Sequence, residues 1–150
     1  MESRKKIDSK NDERRRSQPR LKDPLLDTML QAITRFTSAT KMRDFISGLK
    51  SDNSGIRGLA AGTLGQVVSE SKLEGDASDA IPLLIGLLRD DNIGTRECAA
   101  TALGEIGKRS DLSKKRRIAS SLRDSAGRSE DMGIGLSREH AESIIREMGV

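Results

Sequence analysis

The feature that most constrains this chain is an internal repeat. Residues 49–67 and 88–106 carry the same pattern 39 positions apart, with identical residues at Leu49 and Leu88, Asp52 and Asp91, Asn53 and Asn92, Gly55 and Gly94, Arg57 and Arg96, Ala60 and Ala99, Ala61 and Ala100, Leu64 and Leu103, and Gly65 and Gly104. A period near 40 whose unit reads helix, polar turn, helix predicts an all-α chain, a short α-solenoid in which each helix pair stacks only on its neighbours. Such an array constrains the fold much more tightly than the activity.

The hydrophobic spacing divides the chain into elements. In the first repeat, 40–70, one helix over 40–50 turns Met42, Phe45, Ile46 and Leu49 inward, and a second over 55–69 buries Ile56, Leu59, Ala60, Thr63, Leu64 and Val67. The second repeat, 78–109, opens near Ser78 and Asp79 and buries Ile81, Leu84, Ile85 and Leu88. Its second helix, 93–108, is capped by Asn92 and buries Cys98, Ala99, Ala102, Leu103 and Ile106. A third, irregular unit spans 113–149. Ile118, Ala119 and Leu122 match the end of a first helix, and 138–149 aligns with 96–107 at an offset of 42. Leu122, however, lies only 34 past Leu88, and the eight extra residues predict a mobile Gly- and Ser-rich loop over 125–136. Ahead of the repeats, Asp23 as N-cap and Pro24 at the first helical position predict a capping helix over 23–37, with Leu25, Leu26, Met29, Leu30, Ile33 and Phe36 on one face. Residues 1–22 are polar and basic and predict a disordered arm. The expected organisation is therefore an arm, 1–22, and a solenoid, 23–150.

Composition supports this reading. The aromatic fraction is 1%, with Phe36 and Phe45 as its members, so the core is aliphatic and suits close-packed helices better than a β-sandwich. The same scarcity counts against single-strand nucleic-acid platforms, which stack bases on rings. One cysteine, Cys98, excludes an intramolecular disulfide and points to a reducing, cytoplasmic location; no apolar run approaches the ~20 residues of a membrane span. Residues 1–23 hold nine Lys or Arg against five Asp or Glu, whereas the rest of the chain holds 18 of each sign. The whole excess of +4 sits in residues 1–23.

The second repeat resembles HEAT repeats, in particular the short type first noted in phycobilisome lyases. The resemblance rests on Leu87, Leu88, Arg89, Asp90 and Asp91 before the turn, and on Thr95, Arg96, Ala99, Ala100, Ala102, Leu103, Gly104 and Ile106 after it. It covers roughly 40–149, more loosely in the first and third repeats. It implies close helix packing through the Ala pairs, Gly65 and Gly104, and Asp–Arg pairs (Asp52 with Arg57, Asp91 with Arg96) that bridge turn and helix as a ladder along the stack. The lyase activity does not carry over, because two to three repeats are too few to wrap a bilin and no aromatic residues line one.

The sequence displays no catalytic constellation. His140 has no second histidine or cysteine partner for a metal, there is no phosphate loop, and Gly133 and Gly135 lack the third glycine and the strand of a dinucleotide site. The expectation is a non-catalytic scaffold without cofactor or metal, binding another protein on a concave face lined by the second helices. The contacts expected there are Arg57, Gly58, Thr63, Gln66, Glu97, Thr101 and Glu105, and self-association at an open end of the stack would add stability. The alternative is a basic accessory protein of a nucleic-acid or ribonucleoprotein complex, using Arg14, Arg15, Arg16 and Arg20 of the arm and an edge comprising Lys108, Arg109, Lys114, Lys115, Arg116 and Arg117. Against that alternative, lysines and arginines in a last helical turn also cap carbonyls and aid solubility.

Overall fold

The computed structural model describes residues 27, 30–34, 40–132 and 136–150, the side chains of 130–132 apart. The chain divides into two compact units, 1–31 and 32–150. Asp27, Leu30 and Gln31 of the first unit are helical. The expected arm, the start of the capping helix and residues 35–39 lie outside the described residues. Helical structure runs over 30–34, where Ala32 is buried and Leu30 and Ile33, expected inward, are exposed. The helix there turns its smallest side chain inward.

Beyond the helical residues 32–34, the described residues of the second unit form three helix pairs. The first pair is α1 (Met42–Leu49) and α2 (Ser54–Ser69). A short 3-10 turn, Ala77–Ala80, leads into the second pair, α3 (Ile81–Leu87) and α4 (Ile93–Lys108). The third is α5 (Leu112–Met132) and α6 (Arg138–Met148). First helices pack on first helices and second helices on second helices, which makes two layers with the core between them. Phe45, Leu64, Leu84, Leu103, Ile118, Leu122 and Ile145 are fully buried in that core. Each such side chain contributes on the order of 1.5–3 kcal/mol of apolar burial. The chain is thus the all-α repeat stack that the 39-residue period predicts.

Local chemistry sets the helix starts. Asn53 Oδ1 accepts from Ile56 N at 3.2 Å and Asn92 Oδ1 from Thr95 N at 3.1 Å, the same cap in both repeats. Asp111 caps α5 through Lys114 N at 3.0 Å, and Ser137 caps α6 through His140 N at 3.2 Å. Each cap satisfies an otherwise orphaned amide and adds ~1 kcal/mol. The opening of the second repeat differs in detail from expectation: Asp76 caps the 3-10 turn, accepting from Ser78 N at 2.9 Å, and α3 itself starts without a side-chain cap.

The second-helix layer packs through small residues. A Cβ on Gly58 would lie 3.0 Å from Thr95 Oγ1, and one on Gly65 only 3.1 Å from the Cα of Ala102. Gly58, expected as an exposed contact, is therefore buried between α2 and α4. Gly104 plays the same part toward α6, where an added Cβ would fall 2.6 Å from Ile144 Cγ2. A mid-helix glycine costs ~1 kcal/mol against alanine, and its recurrence is explained by this approach of neighbouring backbones.

The largest departure from the sequence reading is α5. The predicted loop over 125–136 is helical through Met132, and Ser125 and Ala126 are buried. Ser125 Oγ donates to Leu88 O at 3.5 Å and accepts from Leu136 N at 3.2 Å, tying the end of α3 to the entry of α6. Residues 133–135 of that segment lie outside the described residues.

Candidate interaction surfaces

Three regions carry the polar side chains that the sequence singled out. The first is the turn edge. Arg57 was expected to pair with Asp52 and Arg96 with Asp91, but both aspartates are exposed and neither carboxylate forms the ion pair; Arg96 Nη1 reaches Asp91 through its backbone carbonyl at 3.4 Å. Instead Arg57 Nε donates to Asp90 Oδ2 of the next repeat at 2.7 Å, and its Nη1 donates to Ser51 O at 2.9 Å. Burial pushes the Asp90 carboxyl up, yet hydrogen bonds from Arg57 and from Asn92 N outweigh it and hold it below the ordinary range. The hydrogen bond to Asp90 correspondingly raises the Arg57 guanidinium. Within each repeat the arginine bridges turn and helix through a turn carbonyl, and the Arg57–Asp90 ion pair joins the first repeat to the second. Arg96 is 7% exposed and gives its Nη1 to Asp90 O at 2.7 Å, while its Nε is buried without a partner. Arg57 serves the stack.

The second region is the outward face of the second helices. Because Gly58, Gly62 and Gly65 of α2 face Thr95, Cys98 and Ala102 of α4 in step, the two helices run side by side in the same direction. Beside that seam α2 carries Thr63 and Gln66, with Glu70 as its C-cap, and α4 carries Glu97, Thr101 and Glu105. Glu147 of α6 joins them, reaching Lys108 at 3.4 Å. Gln66, Glu97 and Thr101 are exposed; Thr63 is half-buried, with its hydroxyl donating to Leu59 O at 2.8 Å. Glu105 is held by Lys108 at 2.9 Å and Arg109 at 3.6 Å. The hydrogen bond to Glu105 raises the Lys108 ammonium. Ile93, 62% exposed at the start of α4, is an apolar position that sequence reasoning assigned only to the helix boundary. Cys98 is half-buried against Gly62, and burial pushes its thiol up, away from reactivity.

The third region is the α4–α5 edge. Arg109 donates to Ser69 O at 2.8 Å and lines, with Asp76, a cleft of about 300 Å³ floored by Val68, Leu73 and Ile106. Lys114 lies 4.0 Å from Asp76 and 3.9 Å from Asp111. Sequence reasoning set against a binding role the possibility that these cations cap a last helical turn. Arg109 at the end of α4 does so, donating to Glu105 O at 3.5 Å and to Ser69 O, and Lys108 lies in that last turn, but Lys114, Lys115, Arg116 and Arg117 fall near the N-terminal end of α5, which the helix dipole makes unfavourable for cations. The arm residues Arg14, Arg15, Arg16 and Arg20 lie outside the described residues.

Among the described residues no group of histidine, cysteine, aspartate or glutamate side chains could hold a metal, and no helix is long and apolar enough to cross a membrane. His140 sits in the first turn of α6. The family described as HEAT repeats matches the chain over residues 42–130, more than half of its length. No curated protein and no solved structure matches it.

Proposed function

The chain belongs to the HEAT-repeat family, and from that premise we propose that it is a scaffold that binds another protein on the outward face of α2, α4 and α6. Repeats of this family generally mediate protein–protein interaction, and proteins built from them are typically non-catalytic. The observation that carries the choice of face is its continuity. Small-residue packing sets the second helices side by side; of the carboxylates there, Glu70 is paired with Lys72, Glu105 with Lys108 and Arg109, and Glu147 with Lys108, which leaves Glu97 without an ion pair among the described residues. The exposed and unpaired Glu97 favours a partner that presents lysine or arginine. Gln66, Glu97 and Thr101 are the contacts we assign, with Thr63 and Glu105 at their flanks and Ile93 as an apolar anchor; Arg57 is left to the stack.

The test is affinity purification of the full chain beside a Glu97→Arg, Thr101→Arg double variant. Both positions are exposed, and no ion pair holds Glu97, so the melting temperature is expected to stay within a few degrees. The expected result is a protein retained by the parent and lost from the variant. An identical set recovered with both would rule this face out.

A further inference from the structure

We propose that the opening turns of α5 form a second docking surface, separate from the face assigned above, for the phosphate backbone of duplex nucleic acid. The argument begins with charge. Residues 108–123 hold seven Lys or Arg and one Asp. Lys108, Arg109, Lys114 and Arg123 each meet a carboxylate, from Glu105, Glu147, Asp76, Asp111 or Glu142. Lys115, Arg116 and Arg117 meet none among the described residues. The basic edge read from the sequence thus narrows to the cations of α5 that the fold leaves uncompensated.

Their position makes the excess informative. Positive charge in the first turns of a helix opposes its dipole, so these residues do not stabilise α5. Ser113, Arg116, Arg117 and Ser120 fall at i, i+3, i+4 and i+7, a single stripe roughly 10 Å long, and all four are exposed. The stripe carries guanidinium and hydroxyl donors and no carboxylate, the side-chain chemistry that phosphate oxygens accept.

The choice of duplex over other polyanions also rests on the fold. Phe45, the one Phe, Tyr or Trp among the described residues, is fully buried, so none of these residues offers an exposed phenyl, phenol or indole ring on which unpaired bases could stack. The apolar side of α5, with Ile118, Ala119 and Leu122, is buried in the protein core and is not free to enter a bilayer.

The test uses the full chain and a labelled DNA duplex of about 20 base pairs, followed by fluorescence anisotropy from about 50 to 300 mM salt. With about four phosphates neutralised, log affinity should fall with log salt at a slope of about −3.6. The Lys115→Gln, Arg116→Gln, Arg117→Gln variant should bind at least about tenfold more weakly at low salt, with a slope shallower by about 2.7. Its melting temperature should be unchanged or higher, because the removed charges opposed the helix dipole. Ser113→Asp keeps every cation and suits a helix start, and it should weaken binding as well. The proposal is overturned if the parent does not bind the duplex, if the triple variant binds as the parent does, or if anionic vesicles or a polyglutamate peptide bind in preference to the duplex at the same salt.

Discussion

At the scale of single residues, the most informative pair is Arg57 and Asp90. Asp90 aligns with Ser51 of the first repeat, and both do the same local work: Ser51 Oγ accepts from Asn53 N at 3.2 Å, Asp90 Oδ1 from Asn92 N at 3.0 Å. Only the aspartate adds a charge that reaches back to the preceding repeat. Since Asp90 is not one of the nine identities, a reading built on identities assigned the arginines to Asp52 and Asp91 instead. The next rung is missing. Arg96 should reach forward to the third repeat, but α5 continues past Asp124, which stays exposed on the helix surface. The side chains of Arg57 and Asp90 are 21% and 4% exposed, so the pair is largely removed from water. Arg57→Ala should cost about 1–3 kcal/mol. The pH dependence follows from the depressed Asp90 carboxyl: its contribution is complete above the ordinary value of 3.8 and is lost as pH falls toward its lower folded value. Urea denaturation of the parent and Asp90→Asn should therefore differ most at neutral pH and converge below about pH 3.8. A gap that is constant with pH would mean that Asp90 acts by packing rather than charge.

At the scale of elements, the repeat helices were legible and α5 was not. The 93–108 helix and its Asn92 cap appear as read, because a side-chain cap and a four-turn apolar stripe are local signals. For 125–132 the local signals point the other way, with Ser125, Gly127 and Ser129 all poor helix formers. The helix continues because Ser125 and Ala126 are small enough to be buried there, and because Ser125 Oγ serves both Leu88 O and Leu136 N. Gly127 lies in this stretch with nothing within 4 Å of where a Cβ would stand. Gly127→Ala should therefore stabilise the chain by about 0.5–1 kcal/mol, whereas Gly127→Pro should cost about 3 kcal/mol or more. Thermal melts followed by circular dichroism measure both, and two near-neutral substitutions would restore the loop reading.

At the scale of the whole molecule, stability depends on neighbours. The side of α4 that carries Gly104 and Gly107 is covered by Ile144 and Met148 of α6. The outermost helix then exposes Glu139, Glu142 and Arg146, a polar surface that suits the end of a stack. Leu136, Ile144, Ile145 and Met148 are all buried, and at about 1.5–3 kcal/mol each their loss would approach the 5–15 kcal/mol that holds a domain of this size together. Removing residues 136–150 should abolish cooperative urea unfolding; a sigmoidal transition within about 2 kcal/mol of the full chain would show that the first two pairs stand alone. The sequence by itself determined the helix pairs of the two regular repeats, the Asn92 cap and the small-residue seam at Gly65 and Gly104, because periodicity, capping and tight packing are written in residues near one another. Tertiary structure decided the partner of Arg57, the helical course of 125–132 and which cations of the 108–123 edge remain uncompensated. Those outcomes depend on groups 33 residues apart, as for Arg57 and Asp90, or 37, as for Ser125 and Leu88. No local pattern records which distant carbonyl or carboxylate the stack will bring within hydrogen-bonding reach.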